Sequence, residues 1–364
     1  MNRKIEIIDV LRGLAALVVV FLHAREIAWV GIRASWQANG LTLNPSVILG
    51  YVTAPVVWGS IGVPIFFVLS GYCIHRSHAL RLQADPQYDI DRRDYLRRRF
   101  FRIYPILLAA LVLTYLLDAA TRHYAPDHPK LGLDDPWTFL VNLSALQGIL
   151  APTFGSNGPL WTLSIEIQLY VFYLLLFPFR KRYGIPATAL VALVITFVSA
   201  NLSKTGPTDY FAPYLISWCI GAYLAEPGAL AKWTVHFRNR LKLSSVVLIG
   251  LGCAVFSRSS YTAFILWSLG FGLCLPVLLS KEWKDTVLLK ALSGIGNFSY
   301  SLYIVHVPVI VFLSAYFFAG NKPESVIFSI FCVLASIVAS YLFYLAVERP
   351  AIVFLKRRST RALA

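Results

Sequence analysis

The chain has 364 residues, of which 57% are hydrophobic and 14% charged, with a mean hydropathy of +0.65 and a formal net charge of +15. A soluble domain usually carries about a quarter charged residues, so the composition excludes a water-soluble globule and points to an integral membrane protein. In that setting the basic excess encodes topology and meets anionic lipid head groups; it does not call for nucleic acid as a partner.

Taken in chain order, the first apolar run comes after a short basic start, Met1 to Lys4. Asp9 and Arg12 interrupt it and no small-residue cleavage site succeeds it, so it reads as an uncleaved first span and not as a signal peptide. Stretches near the length that crosses about 30 Å of hydrocarbon fall at 8–28, 54–74, 101–120, 160–179, 185–202, 210–225, 243–257, 260–280, 298–319 and 325–346. The expected fold is therefore all-α and polytopic, about ten transmembrane helices forming a single domain over 1–364 with no fused soluble domain. The turn around Arg258 is the shortest separator. Residues 137–150, "WTFLVNLSALQGIL", are too short and polar to span and suit a re-entrant or interfacial helix. The five cysteines lie in or beside apolar runs without metal-ligand spacing and read as packing residues.

Orientation is set by Lys and Arg. With the N terminus inside, the inner segments hold 25 of them and the outer segments seven, namely Arg25, Arg33, Arg122, Lys130, Lys204, Arg258 and Lys322. Both termini are expected in the cytoplasm.

Four features are not explained by span formation. Arg12 and His23, in "LRGLAALVVVFLHA", are eleven residues apart. At about 100° and 1.5 Å per residue they share one helix face, separated by about 16 Å, which suits a common water- or substrate-lined path better than direct contact. An intramembrane charge is costly unless paired or solvated; the bland alternative is a snorkelling Arg12 and an interhelical hydrogen bond at His23. Glu166, early in the fourth span, calls for a partner such as His or Arg. In the ninth span, Ser299, Tyr300, Tyr303 and His306 accompany one another, with Ser299, Tyr303 and His306 at i, i+4 and i+7, equally compatible with hydrogen-bonding helix glue. Finally, "DRRDYLRRRFFRIYP" over 91–105 packs six Arg beside the third span, more than orientation needs. Guanidinium forks suit phosphate, on a phosphorylated ligand or on lipid head groups.

Together these stretches resemble the acyltransferase family 3 of polytopic membrane proteins over nearly the whole chain. The first span carries that family's Arg, ten residues, His pattern as Arg12 and His23. "GVPIFFVLSGYCI" resembles its second-span signature through Phe66, Phe67, Ser70 and Gly71. "RRRFFRIYP" resembles its Arg-rich segment through Arg97, Arg98, Arg99, Arg102 and Pro105. "LWTLSIEIQLY" resembles its Trp-Ser-Leu-Ser-x-Glu-x-Gln-x-Tyr signature: Trp161, Glu166 and Gln168 remain, while Thr162 and Ile167 depart from it. "FSYSLYIVHVPV" and "VERP", with Glu348 and Pro350, resemble its two late motifs.

The resemblance implies acyl transfer, usually of acetyl, from cytoplasmic acyl-CoA (acetyl-CoA) to a hydroxyl of an exopolysaccharide or its lipid-linked oligosaccharide repeat unit. The expected setting is a bacterial inner membrane, with membrane lipids and other polysaccharide assembly proteins as further partners. O-antigen, peptidoglycan, glucan and lipo-oligosaccharide remain open as acceptors. His23 is expected as general base or transient acyl carrier, Glu166 as its orienting group or as a sugar contact, and Arg12 as donor contact or charge balance. Arg97, Arg98, Arg99 and Arg102 would grip the CoA phosphates; Ser70, Trp161, Gln168, Ser299, Tyr300, Tyr303, His306 and Glu348 would support the site. No metal is expected: His75, His78, His123, His128 and His236 fall in predicted loops or at span ends without an HExxH-like pattern. A transporter or flippase for a lipid-linked sugar would use the same intramembrane charges as a proton relay but has no need of the arginine cluster. A non-catalytic assembly subunit would not need Arg12, His23 and Glu166 together.

Overall fold

The computed structural model describes residues 7–202 and 210–361, and side chains throughout these except at 202, 230–236 and 356–361. The basic start and Lys204 lie outside the described residues, as do the side chains of Lys232, His236, Lys356, Arg357, Arg358 and Arg361. The described chain is helical, apart from one bridge pairing Gln147 with Ala151. The helices are α1 (Ile7–Ile27), α2 (Ile32–Asn39), α3 (Pro45–Val52), α4 (Gly62–Ala84), α5 (Arg92–Tyr124), α6 (Pro136–Leu143), α7 (Leu160–Leu202), α8 (Leu215–Leu224), α9 (Ala229–Val255), α10 (Ser260–Ser280), α11 (Val287–Asn297), α12 (Ser299–Phe318), α13 (Ile327–Phe343) and α14 (Arg349–Arg361).

Seven helical segments among the described residues are long and apolar enough to cross a membrane: Ile7–Ile27, Pro45–Ala84, Arg92–Tyr124, Leu160–Asn201, Ser260–Ser280, Ser299–Phe318 and Ile327–Leu355. The other three expected stretches are also helical, for identifiable reasons. Residues 185–202 are the second arm of α7, whose run breaks at Gly184 (φ 81°, ψ 168°), a conformation open to glycine. Residues 210–225 contain only the ten-residue α8 after a short 3-10 turn. Residues 243–257 coincide with the end of α9, which begins at Ala229 in a polar stretch.

Several boundaries move. The stretch 54–74 is a 3-10 segment, Ala54–Ile61, leading into α4, which runs on to Ala84. The third helix starts at Arg92, nine residues before its apolar run. His75 and His78 are therefore interior residues of α4, not loop residues, and His75 is 1% exposed. Residues 137–150 hold the short α6, capped by Asp135, whose carboxylate accepts from the amides of Trp137 and Thr138. Hydrogen bonds from Thr138 hold the Asp135 carboxyl below the usual range.

The chain divides into two compact units. The first comprises Met1–Ala15, Ile61–Leu96 and Ile165–Gly296. Its core packs Val68, Leu69 and Tyr72 of α4 against Leu224, Ala225, Phe271 and Leu275. Here α4 and α8 meet backbone to backbone: a Cβ on Gly71 would strike the Trp218 carbonyl, and one on Gly221 the Val68 carbonyl. Small residues at such crossings let apolar helices gain dispersion contacts that lipid cannot supply.

The second unit comprises Ala16–Ser60, Arg97–Ser164 and Asn297–Ala364. Its core joins Ala24 and Ile27 of α1, and Ala28 just after it, to Val307, Ile310 and Val311 of α12 and Cys332 of α13. After α13 the backbone makes one π-helical turn, Tyr344–Glu348, before α14. The cysteines are free: Cys219 and Cys332 are buried, Cys253 and Cys274 half-buried, and Cys73 is exposed and so not a packing residue.

Candidate active site

The small residues of the second core fix where two histidines meet. Ala24 comes directly after His23 and Val307 directly after His306, and both pack in that cluster. His23 Nδ1 comes to 2.8 Å from His306 Nε2, with ring planes at 22°. His306 is fully buried, and its Nδ1 lies 3.0 Å from the Leu302 carbonyl oxygen one turn back. His23 is half-buried, and its Nε2 makes no hydrogen bond among the described residues. Tyr303 presents its ring edgewise to His306 at 6.0 Å, and its hydroxyl is 3.1 Å from Thr162 Oγ1.

The helix carrying His306 is held at two levels. Pro308 lacks an N–H, which leaves the Ile304 carbonyl without its helical donor. Asn157 Nδ2 donates to that carbonyl at 2.8 Å and to Thr114 Oγ1 at 3.0 Å. Next door, the buried Asp118 carboxylate accepts from the Ser156 amide at 2.7 Å and its hydroxyl at 2.6 Å, fixing the loop that presents Asn157. At the helix start, Glu348 Oε2 accepts from the Ser301 amide at 3.2 Å and its hydroxyl at 2.5 Å. That carboxylate satisfies a first-turn amide and places negative charge at the helix N terminus, where the dipole favours it.

Arg12 and His23 do share α1, with Arg12 half-buried in the stretch belonging to the first unit. Glu166 is also in the first unit, at the start of α7, and its partners among the described residues are hydroxyls, not the expected His or Arg: Tyr170 one turn on and Ser70 Oγ at 3.4 Å. Gln168 Oε1 accepts from the Phe211 amide at 3.1 Å. Trp161 is half-buried in the first turn of α7, and Ser299 and Tyr300 occupy the first turn of α12. Arg97, Arg98 and Arg102 are exposed and Arg99 half-buried near the start of α5, and beside them Phe101 packs on Phe354 of α14.

A second buried histidine site lies outside the expected residues. In the first unit His75 Nδ1 lies 2.8 Å from the Tyr173 hydroxyl and its Nε2 2.8 Å from Glu226 Oε1. Arg180 completes the arrangement, its Nε donating to Glu226 Oε1 at 2.6 Å and a second nitrogen to Oε2. Glu226 sits in the short connection after α8. Burial opposes its ionisation, but the hydrogen bonds from His75 and Arg180 and the charge of the guanidinium outweigh that and hold its carboxyl at about 2. Asp118 is likewise absent from the expected set. An acidic residue inside an apolar run is the signal that marks it; finding His75 requires the helix to be continued past its apolar window. No group of three metal-ligating side chains occurs among the described residues.

Residues 5–345 match the acyltransferase 3 family, described as an acyltransferase domain. The chain is 26% identical to "O-acetyltransferase OatA" of Staphylococcus aureus strains NCTC 8325 / PS 47 and COL, over 94% of this chain and 56% of each relative. It thus spans about half the length of the curated relatives it matches. No solved structure matches it. With a match over almost its whole length, on a multi-pass helical scaffold, this chain belongs to the acyltransferase 3 family.

Proposed function

We propose that the chain is a membrane O-acyltransferase that moves an acyl group, acetyl in the first instance, from cytoplasmic acyl-CoA to a hydroxyl of an exopolysaccharide or its lipid-linked repeat unit. The carrying observation is the His23–His306 pair: a half-buried imidazole, fixed on one side and unbonded on the other among the described residues. The proton leaves the acceptor hydroxyl for His23, the sugar oxygen attacks the thioester carbonyl, and the C–S bond breaks. The sulfur then takes the proton back, which gives an ester and free CoA. If His23 carries the acyl group transiently, the same nitrogen serves. Arg97, Arg98, Arg99 and Arg102 bind the donor phosphates by charge-assisted forks. Within the first unit, Arg12 balances charge and Glu166 is a polar group braced by Ser70 and Tyr170.

The O-acetyltransferase relatives support acetyl as the group moved. We place the chain in a bacterial inner membrane with ten spans and both termini inside. Reporter fusions after Arg182 and Lys242 then read as cytoplasmic and those after Lys322 as external. A cytoplasmic reading at Arg258 means that the seventh and eighth spans are misread and inverts every later span. The activity itself is tested by mass spectrometry of envelope glycans from cells with and without the chain. A glycan that loses about 42 mass units per modified hydroxyl, the difference between acetyl and hydrogen, names acceptor and acyl group together. Identical glycans remove the proposal.

A further inference from the structure

The hydrogen bonds around the histidine pair fix where its protons are, and this carries a residue role beyond the base itself. A carbonyl oxygen only accepts, so the 3.0 Å contact to the Leu302 carbonyl requires the proton on His306 Nδ1. His306 is wholly buried and no carboxylate is hydrogen-bonded to it among the described residues, so its ring is neutral and Nε2 carries a lone pair. Among the described residues, the group within hydrogen-bond reach of that lone pair is His23 Nδ1 at 2.8 Å, which must therefore be the donor. With its one proton on Nδ1, neutral His23 has its remaining lone pair on Nε2, the nitrogen that the described residues leave unbonded.

We infer that His306 is a positioning residue that holds His23 in the Nδ1–H tautomer, so that Nε2 is the nitrogen that accepts the acceptor hydroxyl's proton or the acyl group. This rests on the proposed acyl transfer at His23. The relay runs carbonyl, imidazole, imidazole, lone pair, and it uses no charged residue. When His23 takes up a proton at Nε2, its Nδ1–H keeps donating to His306, so nothing in the pair has to reorient during transfer. His306 thus does for His23 what a carboxylate does for the histidine of a serine hydrolase, orienting the ring and fixing its tautomer. The Pro308 gap filled by Asn157 and the Glu348 contact at Ser301 hold the helix that makes this possible.

The test compares two substitutions with opposite hydrogen-bonding character. His306→Gln retains an acceptor oxygen near the former Nε2; His306→Met has similar bulk but no hydrogen-bonding acceptor of that strength. His306→Met should leave acyl-CoA KM unchanged and lower kcat by roughly 10²-fold, a smaller loss than the one seen when a catalytic histidine is held wholly in the wrong tautomer. His306→Gln should recover most of that loss. Equal, near wild-type kcat in both variants, with His23→Gln inactive, overturns the tautomer role and leaves the transfer reading standing. Full activity of His23→Gln removes the reading itself. Equal inactivation of both well-folded variants also overturns the role, because an acceptor alone would then not suffice. Should His306→Met fail to fold, nitrogen-15 spectra of the histidine-labelled wild-type protein decide the matter. His23 must show a protonated Nδ1 and an unprotonated Nε2, and the reverse pattern overturns the assignment.

Discussion

The two units each carry a histidine inside an apolar helix, and they use it in opposite ways. His75 has both ring nitrogens engaged, one by the Tyr173 hydroxyl and one by Glu226, and an arginine neutralises the carboxylate. Every valence of that ring is spent on holding α4, α7 and the connection after α8 together. His23 has one nitrogen fixed by a neutral partner and the other open among the described residues, and its side chain is half-buried where His75 is closed off. Burial of a histidine inside an apolar helix is therefore not a functional signal by itself. What separates a fastener from a reactive group is whether a lone pair is left over and whether a substrate can approach it.

The sharpest way to break this comparison is to exchange both histidines for glutamine. At His23 an amide cannot take a proton near neutral pH, and loss of general-base catalysis typically removes about 10²–10⁴-fold of the rate. His23→Gln should therefore abolish acyl transfer while leaving melting behaviour and acyl-CoA binding near wild type. His75→Gln should do the reverse, with turnover per folded molecule retained and stability lowered by about 1–3 kcal/mol, because a buried hydrogen-bonding group loses a partner. Transfer assays with acetyl-CoA, paired with thermal melts in detergent, read both. Substantial transfer by His23→Gln, or dead but stable His75→Gln, reverses the assignment of roles.

Next in size is the counter-ion of the fastener. Arg180 donates to both oxygens of Glu226, and its removal leaves a carboxylate that only His75 faces directly among the described residues. Breaking one partner out of a buried ion pair usually costs about 3–5 kcal/mol. Arg180→Met should fall in the lower part of that range, since the Arg180 side chain remains 18% exposed. The double change Arg180→Met with Glu226→Gln should recover much of the loss. A double variant no more stable than Arg180→Met would mean that the arginine acts by packing and not by charge.

These sites also mark how far the sequence can be read. Every expected apolar stretch contains helix, because lipid and core both demand that backbone polar groups be satisfied within the segment. The ends depart from expectation where charge begins: α4 continues to Ala84 and α5 starts at Arg92. A hydropathy window stops at arginine, but a nucleated helix does not, and arginine is itself a good helix former. The same effect hides His75, since a residue placed at a span end invites no search for partners. Arg12, His23, Glu166 and His306 are legible as polar residues in apolar surroundings. The pairing of His23 with His306 is not, for 283 positions separate them and the core packing around Ala24 and Val307 brings their helices together. Nor does Glu166 have the ionic partner expected for it among the described residues, where two hydroxyls brace it without a second charge.

A smaller effect belongs to the scaffold behind His306. Asn157 replaces the helical donor that Pro308 removes, so Asn157→Ala should leave the Ile304 carbonyl unsatisfied in a buried place, at a cost of about 1–3 kcal/mol. Unlike His75→Gln, this change should lower kcat as well as stability, since the carbonyl is two residues from His306. Unaltered kcat in a destabilised Asn157→Ala would show that the pair is positioned by the apolar core alone.

The last prediction is the smallest at physiological pH, and it asks whether the fastener is locked by its carboxylate. Glu226 has its pKa pulled from an ordinary 4.5 to about 2 by His75 and Arg180, against the opposing effect of burial. A carboxyl whose folded value is depressed binds fewer protons in the folded state than in the unfolded state. Its contribution to stability is therefore fully present above the unfolded value and is lost as pH falls toward the folded one. The stability difference between wild type and Glu226→Gln should thus be flat from about pH 9 to pH 5. It should start to shrink below about 4.5 and continue shrinking toward about 2. Thermal melts of the two proteins at matched pH and ionic strength give the curve directly, since contributions from other titrating groups largely cancel between them. A change centred between about pH 6 and 7 would instead be the signature of a titrating histidine. In that case the network around His75 would respond to physiological pH, and the contrast between a closed histidine and an open one would no longer separate structure from chemistry in this molecule.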